Sequence, residues 1–356
     1  MSSILTNASA MTALQTLNST NKSLQTVQTR ISTGYRVAEA ADNAAYWSIA
    51  TTMRSDNQAL STVQDALGLG ASKVDTAYTG MNKVLETVDQ IKIKLVAAYG
   101  ASDSDKAKIQ TEIKALQGQM KSYADAATFS GTNFLSVTST QVAAANDGVQ
   151  PDAKIVSAFN RSANGSVTLG TIDIDVEGIK LFDSGLAADV KNAGHLDRKT
   201  TIYATAAAQA EYDTAYAASL AGGSTDIAAH TAGLAAVTAP APAKVDNVSI
   251  FNLDILAAGV TDDIITQMVS KVDKVLKDLT DVATTLGAAK KQVDLQKSFT
   301  SSLMDSIDRG VGQLVDADMN KESTRLQALQ VQQQLGIQAL SIANSNSQSI
   351  LSLFKN

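Results

Sequence analysis

From Met53 to Leu95 an apolar residue stands at every seventh position: Met53, Leu60, Leu67, Val74, Met81, Val88 and Leu95. A companion row follows it, Val63, Gly70, Ala77, Val84, Ile91 and Ala98, with Asp56 as its one charged member. A strand would throw alternate members of such a row onto opposite faces, whereas a helix returns them to one side. The spacing predicts one helix of about seven heptads, roughly 75–85 Å long at 1.5 Å per residue. At that length the rows read as the seam of a coiled coil and not as a cofactor groove.

Further helices follow from the same period. Residues 3 to 31 carry Ala10, Leu17, Leu24 and Ile31 in one row, with Ala13 and Val27 beside it. Ser32-Thr33-Gly34 ends that helix, because glycine readily adopts the conformation that closes one. Asp42 and Asn43 offer capping oxygens for the long helix, and Gly100 with Ser102-Asp103-Ser104 closes it. A third helix is expected over 105–127, with Ile109, Ile113, Leu116, Met120 and Tyr123 on one face. From Thr261-Asp262 the heptads resume as Ile265, Met268, Val272, Val275, Leu279, Val282, Leu286, Ala289 and Val293. They weaken at Gln296 and Thr300, return at Leu303 and Ile307, and lead past Gly310 and Gly312 to Asp316-Ala317-Asp318.

Both ends of the chain lack charge. Met1 to Asn21 and Leu326 to Phe354 contain no Asp, Glu, Lys or Arg. The second stretch keeps helical spacing through Leu326, Leu329, Leu340, Ala343, Ile350 and Phe354, with Gln333, Gly336 and Ser347 completing the rows. Gln, Asn and Ser break it too often for a membrane span, which needs about 18 or more apolar residues in succession. A solvent-facing helix ordinarily carries charges on its outer side. Two uncharged amphipathic ends therefore suggest that the ends pack together and are then buried among copies of the same molecule.

The middle third reads differently. Residues 128–261 hold all three Pro and both His of the chain. Ser166 to Glu177 alternates as a strand would, with a change of parity at Gly170-Thr171 that points to a bulge or turn. Val248 to Ile255 alternates too, Ala206 to Leu220 suits a short helix, and Gly222-Gly223 and Ala239-Pro240-Ala241-Pro242 suit loops. The expected architecture is mainly α. Long coiled-coil helices from both termini pack together, and a small mixed α/β domain is inserted between them.

Composition removes several kinds of function. Cys is absent, so there is no disulfide, zinc–thiolate or thiol chemistry. His195 and His230 form no His-Glu-x-x-His pair and read as surface residues. Asp173, Asp175 and Glu177 read as the solvated face of a strand. No Gly-rich phosphate loop or Gly-x-Ser-x-Gly is present. No catalytic, cofactor or metal residues are assigned, and no cofactor is expected. A net charge of −6 gives no nucleic-acid footprint. The start has no basic stretch followed by an apolar core, so no cleaved secretory signal is expected.

Two stretches carry a resemblance. TRISTGYRVAEAADNAAYWSIA at 29–50 resembles the N-terminal signature of bacterial flagellins, with Gly34, Arg36, Asp42 and Asn43 as its loop. DADMNKES at 316–323 and LQVQQQLGIQALSIANSNSQSILSLF at 329–354 resemble the C-terminal signature. The likeness is greatest to flagellins of soil and plant-associated bacteria. It covers about 1–135 and 262–356, and the insert resembles nothing identifiable. The resemblance implies a structural, non-enzymatic subunit that polymerises into the helical flagellar filament, exported by a type III apparatus and located outside the cell. It implies an inner coiled-coil domain of 1–34 and 315–356, a helical shell of 35–135 and 262–314, and an outer domain of 136–261. The polymerisation seam would be Leu17, Leu24, Ile31, Leu326, Leu340, Ile350 and Phe354. The shell seam would be Met53, Leu60, Leu67, Val74, Met81, Val88 and Leu95 with Val272, Val275 and Leu279. Implied partners are further copies of the chain, an export chaperone on the C-terminal segment, and the filament cap and hook–filament junction proteins. No nucleic acid or membrane insertion is implied. A junction protein itself, a secreted pore-forming translocator and an enzyme housed in the insert are the rival readings.

Overall fold

The computed structural model describes residues 7–139, 150–162, 164–184, 193–221, 226–237 and 244–353. Three helices come first: α1 (Ala8–Thr33), α2 (Ala44–Ala98) and α3 (Asp103–Ala126). The middle holds β1 (Thr128–Phe129), β2 (Thr132–Asn133), β3 (Ser136–Val137), β4 (Ala153–Arg161), β5 (Val167–Ile174) and α4 (Val176–Ile179). It continues with β6 (Phe182–Asp183), β7 (Thr200–Tyr203), α5 (Ala206–Ala221), α6 (Asp226–Ala236) and β8 (Lys244–Val248). Two helices close the chain, α7 (Asp262–Val315) and α8 (Met319–Leu353). They form two compact units, Met1–Ser61 with Ser301–Asn356, and Thr62–Thr300. α2 and α7 contribute residues to both.

In the Thr62–Thr300 unit the heptad rows are the core. Leu67, Val74, Met81, Val88 and Leu95 of α2 are fully buried, and so are Met268, Val272, Leu279, Leu286 and Val293 of α7. Val275 is half-buried beside them. Ion pairs join Lys92 to Asp273 and Lys290 to Asp75, so α2 and α7 run antiparallel. α3 folds back along α2 through Ile113 and Met120, and Lys94 meets Glu112 at 2.6 Å. Gly80 allows the close approach at the end of that hairpin. A Cβ there would stand 2.8 Å from Cβ of Ala127 and 3.0 Å from Leu135.

The middle segments share this core. Ile155, Ile172, Ile174, Leu181, Ile202 and Val248 are buried in the same cluster as the α2 and α7 rows. β4 and β5 pair antiparallel, and the register shifts where Val156 faces Thr171 and Ala158 faces Gly170. The change of parity read at Gly170-Thr171 is thus a bulge, with the extra residue, Ser157, on the opposite strand. β7 pairs antiparallel with β8, and β3 pairs parallel with β6.

Two sequence readings of the middle are corrected. Asp173, Asp175 and Glu177 do not share a strand face, because β5 stops at Ile174. The Asp175 carboxylate instead accepts from the Gly178 N–H at 2.9 Å and caps α4, and Glu177 pairs with Lys180 at 2.8 Å. The alternating stretch from Val248 to Ile255 leaves the strand after Val248. Val248, Ile250, Leu253 and Ile255 are buried while Phe251 is exposed, and two glutamines of α3 take the place of a neighbouring strand. Gln117 donates to the carbonyls of Ile250 and Leu253 at 3.0 Å, and Gln110 accepts from the Ile255 N–H at 2.9 Å. Buried backbone groups need partners, and amides at period seven supply them here. His195 Nε2 donates to the Gly178 carbonyl at 3.1 Å. The Gly222-Gly223 and Ala239–Pro242 loops lie outside the described residues, as does the His230 side chain.

Candidate functional site

In the other unit, α1 and α8 form an antiparallel pair. Asn7 Nδ2 donates to the Ala343 carbonyl at 2.9 Å, Gln333 donates to Asn21 at 2.8 Å, and Arg30 meets Glu322 at 3.4 Å. Val27 (2% exposed) and Leu329 (9%) are the most deeply buried apolar residues of the pair. Leu17, Leu24, Ile31, Leu326 and Leu340 are half-buried. Phe354 and the side chain of Ile350 lie outside the described residues. Gly336 sits against Leu17, to which a Cβ would come within 3.3 Å. The polar and small residues Gln333 and Gly336 on the α8 rows therefore face this chain's own α1.

Each helix buries only one stripe. On the remaining faces Met11 and Leu14 of α1 are 65% and 51% exposed, and Leu335, Ile337 and Ile342 of α8 are 57%, 54% and 67% exposed. Around them stand Gln, Asn, Ser and Thr, with no charge in α1 before Lys22 or in α8 after Arg325. Hydroxyls occupy themselves within the helix: Thr12, Thr16 and Thr20 each donate to the carbonyl four residues back. Burying such a face in another protein surface strands no charge, and an apolar area left in water marks an interaction site.

The signature loop binds the break between α7 and α8. Gly34 has φ of 75° and closes α1, its N–H bonded to the Arg30 carbonyl at 2.9 Å. Its carbonyl accepts from Ala317 N–H at 2.8 Å, and Tyr35 bridges to Asp316. The N–H groups of Arg36 and Val37 both point to the Val315 carbonyl, and the Arg36 guanidinium donates to that of Leu314 at 2.8 Å. Asp42 accepts from the Ala38 N–H at 3.0 Å, and Asn43 caps α2 by accepting from Tyr46 N–H at 3.1 Å. On the other side Asp318 caps α8, accepting from Asn320 N–H at 3.0 Å. Below the loop Val37, Ala50, Val311 and Val315 form a small apolar core against which Met53 packs, and Leu60 is 4% exposed in the next turns of α2. The sequence marked both loops, but not that they hold each other.

No group of His, Cys, Asp and Glu suited to a metal ion occurs among the described residues, and no described helix is long and apolar enough to cross a membrane. The arrangement is a helix pair with uncharged, partly apolar outer faces, and no metal-ligating cluster is assembled among the described residues.

Comparison with known proteins agrees with both signatures. Residues 4–140 match the family model for the bacterial flagellin N-terminal helical region, and residues 269–354 that for its C-terminal helical region. A flagellin of Brucella melitensis biotype 1 is 47% identical over 355 residues, covering all of both chains. Flagellin C of Rhizobium meliloti strain 1021 is 47% identical over 360 residues and flagellin A of Rhizobium meliloti 44% over 407, again across both full lengths.

Proposed function

This chain belongs to the bacterial flagellin family, whose members are structural subunits of the flagellar filament and not enzymes, and we propose that its copies stack through the outer faces of the α1–α8 pair. The observation that carries the proposal is a two-helix pair with one stripe buried and its opposite faces apolar, exposed and uncharged. Leu17, Leu24, Ile31, Leu326 and Leu340 form the seam. Residues 1–34 and 315–356 make the inner domain, 35–135 and 262–314 the shell, and 136–261 the outer surface. Gly34, Arg36, Asp42 and Asn43 fix the turn that joins inner and shell parts.

The same uncharged C-terminal stretch is what an export chaperone would hold, since its outer apolar face is left exposed before assembly. A filament cap and a hook–filament junction protein would contact the two ends of the polymer. The decisive experiment is Leu340→Asp. It places a charge in the seam, and the protein is expected in the culture medium as monomer, with no filaments by electron microscopy. Normal filaments from this variant would refute assembly through the α1–α8 pair.

A further inference from the structure

The middle of the chain holds a cavity that self-assembly does not use. It measures about 430 Å³ and lies between β7, α5 and the Gln267–Asp278 stretch of α7. That volume is within the range of small-molecule sites. Ile202, Tyr216, Leu220 and Val275 give it an apolar lining. Tyr216 is 7% exposed and stacked on Tyr212 with ring centroids 5.8 Å apart, so its ring is a fixed wall.

The polar lining is cationic in an acidic chain. Arg198, Lys271 and Lys274 outnumber Asp213 and Asp278, whereas the whole molecule carries −6. Asp213 is already engaged: Gln209 donates to it at 2.9 Å and Lys274 stands 3.7 Å away. Lys271 donates to the Thr200 hydroxyl and the Val248 carbonyl. The Arg198 backbone N–H donates to the Gly194 carbonyl at 3.1 Å, but its guanidinium makes no hydrogen bond or ion pair among the described residues, so its planar pair of donors is available to a carboxylate. His195 spends Nε2 on the Gly178 carbonyl, which leaves Nδ1 as an acceptor. Gln267 and Ser270 add an amide and a hydroxyl.

A fixed aromatic wall, dispersed neutral hydrogen-bonding groups and one unengaged guanidinium suit a ring with hydroxyls and a single carboxylate. We propose that this cavity binds an acidic monosaccharide of the uronic-acid class, its carboxylate on Arg198 and its ring against Tyr216. A neutral sugar would leave Arg198 unused, and an aromatic acid would leave Gln267, Ser270 and His195 Nδ1 unused.

The test is calorimetric titration of the full-length monomer with D-galacturonate, with D-galactose and benzoate as comparators. Saturable galacturonate binding tighter than about 10 mM is expected, with both comparators at least about tenfold weaker. Arg198→Gln should weaken galacturonate about ten- to a hundredfold, the worth of a charged hydrogen-bond pair. Ala217→Trp, at an exposed lining position, should abolish binding, and both variants should keep wild-type helix content and form filaments. Absence of saturation, equal binding of either comparator, or wild-type affinity in Arg198→Gln would overturn the proposal. Filament formation is read separately, so such a failure leaves the self-assembly reading untouched.

Discussion

Glycines in α2 show how a single residue's worth depends on what its missing Cβ would meet. Gly68 has nothing within 4 Å, whereas Gly80 lies against Ala127 and Leu135. Gly68→Ala should stabilise the protein by about 0.5–1 kcal/mol through helix propensity. Gly80→Ala gains the same propensity but must displace a Cβ fixed to its backbone, and should destabilise by about 1–3 kcal/mol. The thermal midpoints of the two variants should move in opposite directions. Lys180 is the second instructive residue. It is 1% exposed and held by Asp183 at 2.9 Å and Glu177 at 2.8 Å, while Asp183 also accepts from the Ser139 N–H at 2.9 Å. Lys180→Met would leave a buried carboxylate without its cation and should cost about 3–5 kcal/mol in denaturant unfolding. Nothing in the pattern around Lys180 signals burial, because its two carboxylates at three-residue spacing look like an ordinary solvated helix face. The heptad residues are the opposite case: Leu67, Met81 and Leu95 were legible as core because a row sustained over about seven heptads has no use except burial.

Among elements, the long helices are tied across their flanks by ion pairs that titrate. The Asp273 carboxyl is held below the ordinary carboxylate range by the hydrogen bond from Lys92, and that of Asp262 by the bond from Lys106. Asp105 is lowered by Lys108 and Ser102. At Asp125, burial opposes the bonds from Lys121 and Ser136, and the net direction is downward. Asp197 goes the other way, raised by burial. A lowered carboxyl lends stability above its unfolded value, about 3.9, and that stability is lost as pH falls through the lower folded value. Asp197 adds stability below about 3.9 and loses it as pH rises through its raised value. With four lowered against one raised, the thermal midpoint should fall as pH drops below about 4. Pairing Lys92→Met with Lys106→Met should flatten that acid limb; an unchanged limb would place the acid sensitivity elsewhere. Among the caps, Thr261, Asn43 and the Gly100 stop were legible where spacing required them, but Asn7 was not: the row was read from residue 3, whereas Asn7 accepts from the Ala10 N–H and opens α1 at Ala8. The two-residue strands β1, β2, β3 and β6 were not, because they are too short to show a period and depend on partners far along the chain.

At the scale of the whole molecule, the middle region is part of the Thr62–Thr300 core and not a detachable appendage. Deleting 150–250 should leave export intact but lower the thermal midpoint of that unit and change filament shape or bundling. Loss of secretion altogether would argue against an outer location for the segment. What the sequence left open here was packing: hydropathy showed which strand faces were apolar, but not that α2, α3 and α7 would supply the opposing surface. The pairing of Gly34–Val37 with Leu314–Ala317, and of α1 with α8, also fixes an order of events. Asn7 and Ala343 are 336 positions apart, and Arg30 and Glu322 are 292. A chain made from its N-terminus therefore carries α1 without its partner until α8 has been made. A chain that stops before α8 cannot close the α1–α8 pair, so on the proposed packing such a truncated subunit is expected to stay out of the polymer. The joint where α1 meets α8 would then report that synthesis had reached the second helix.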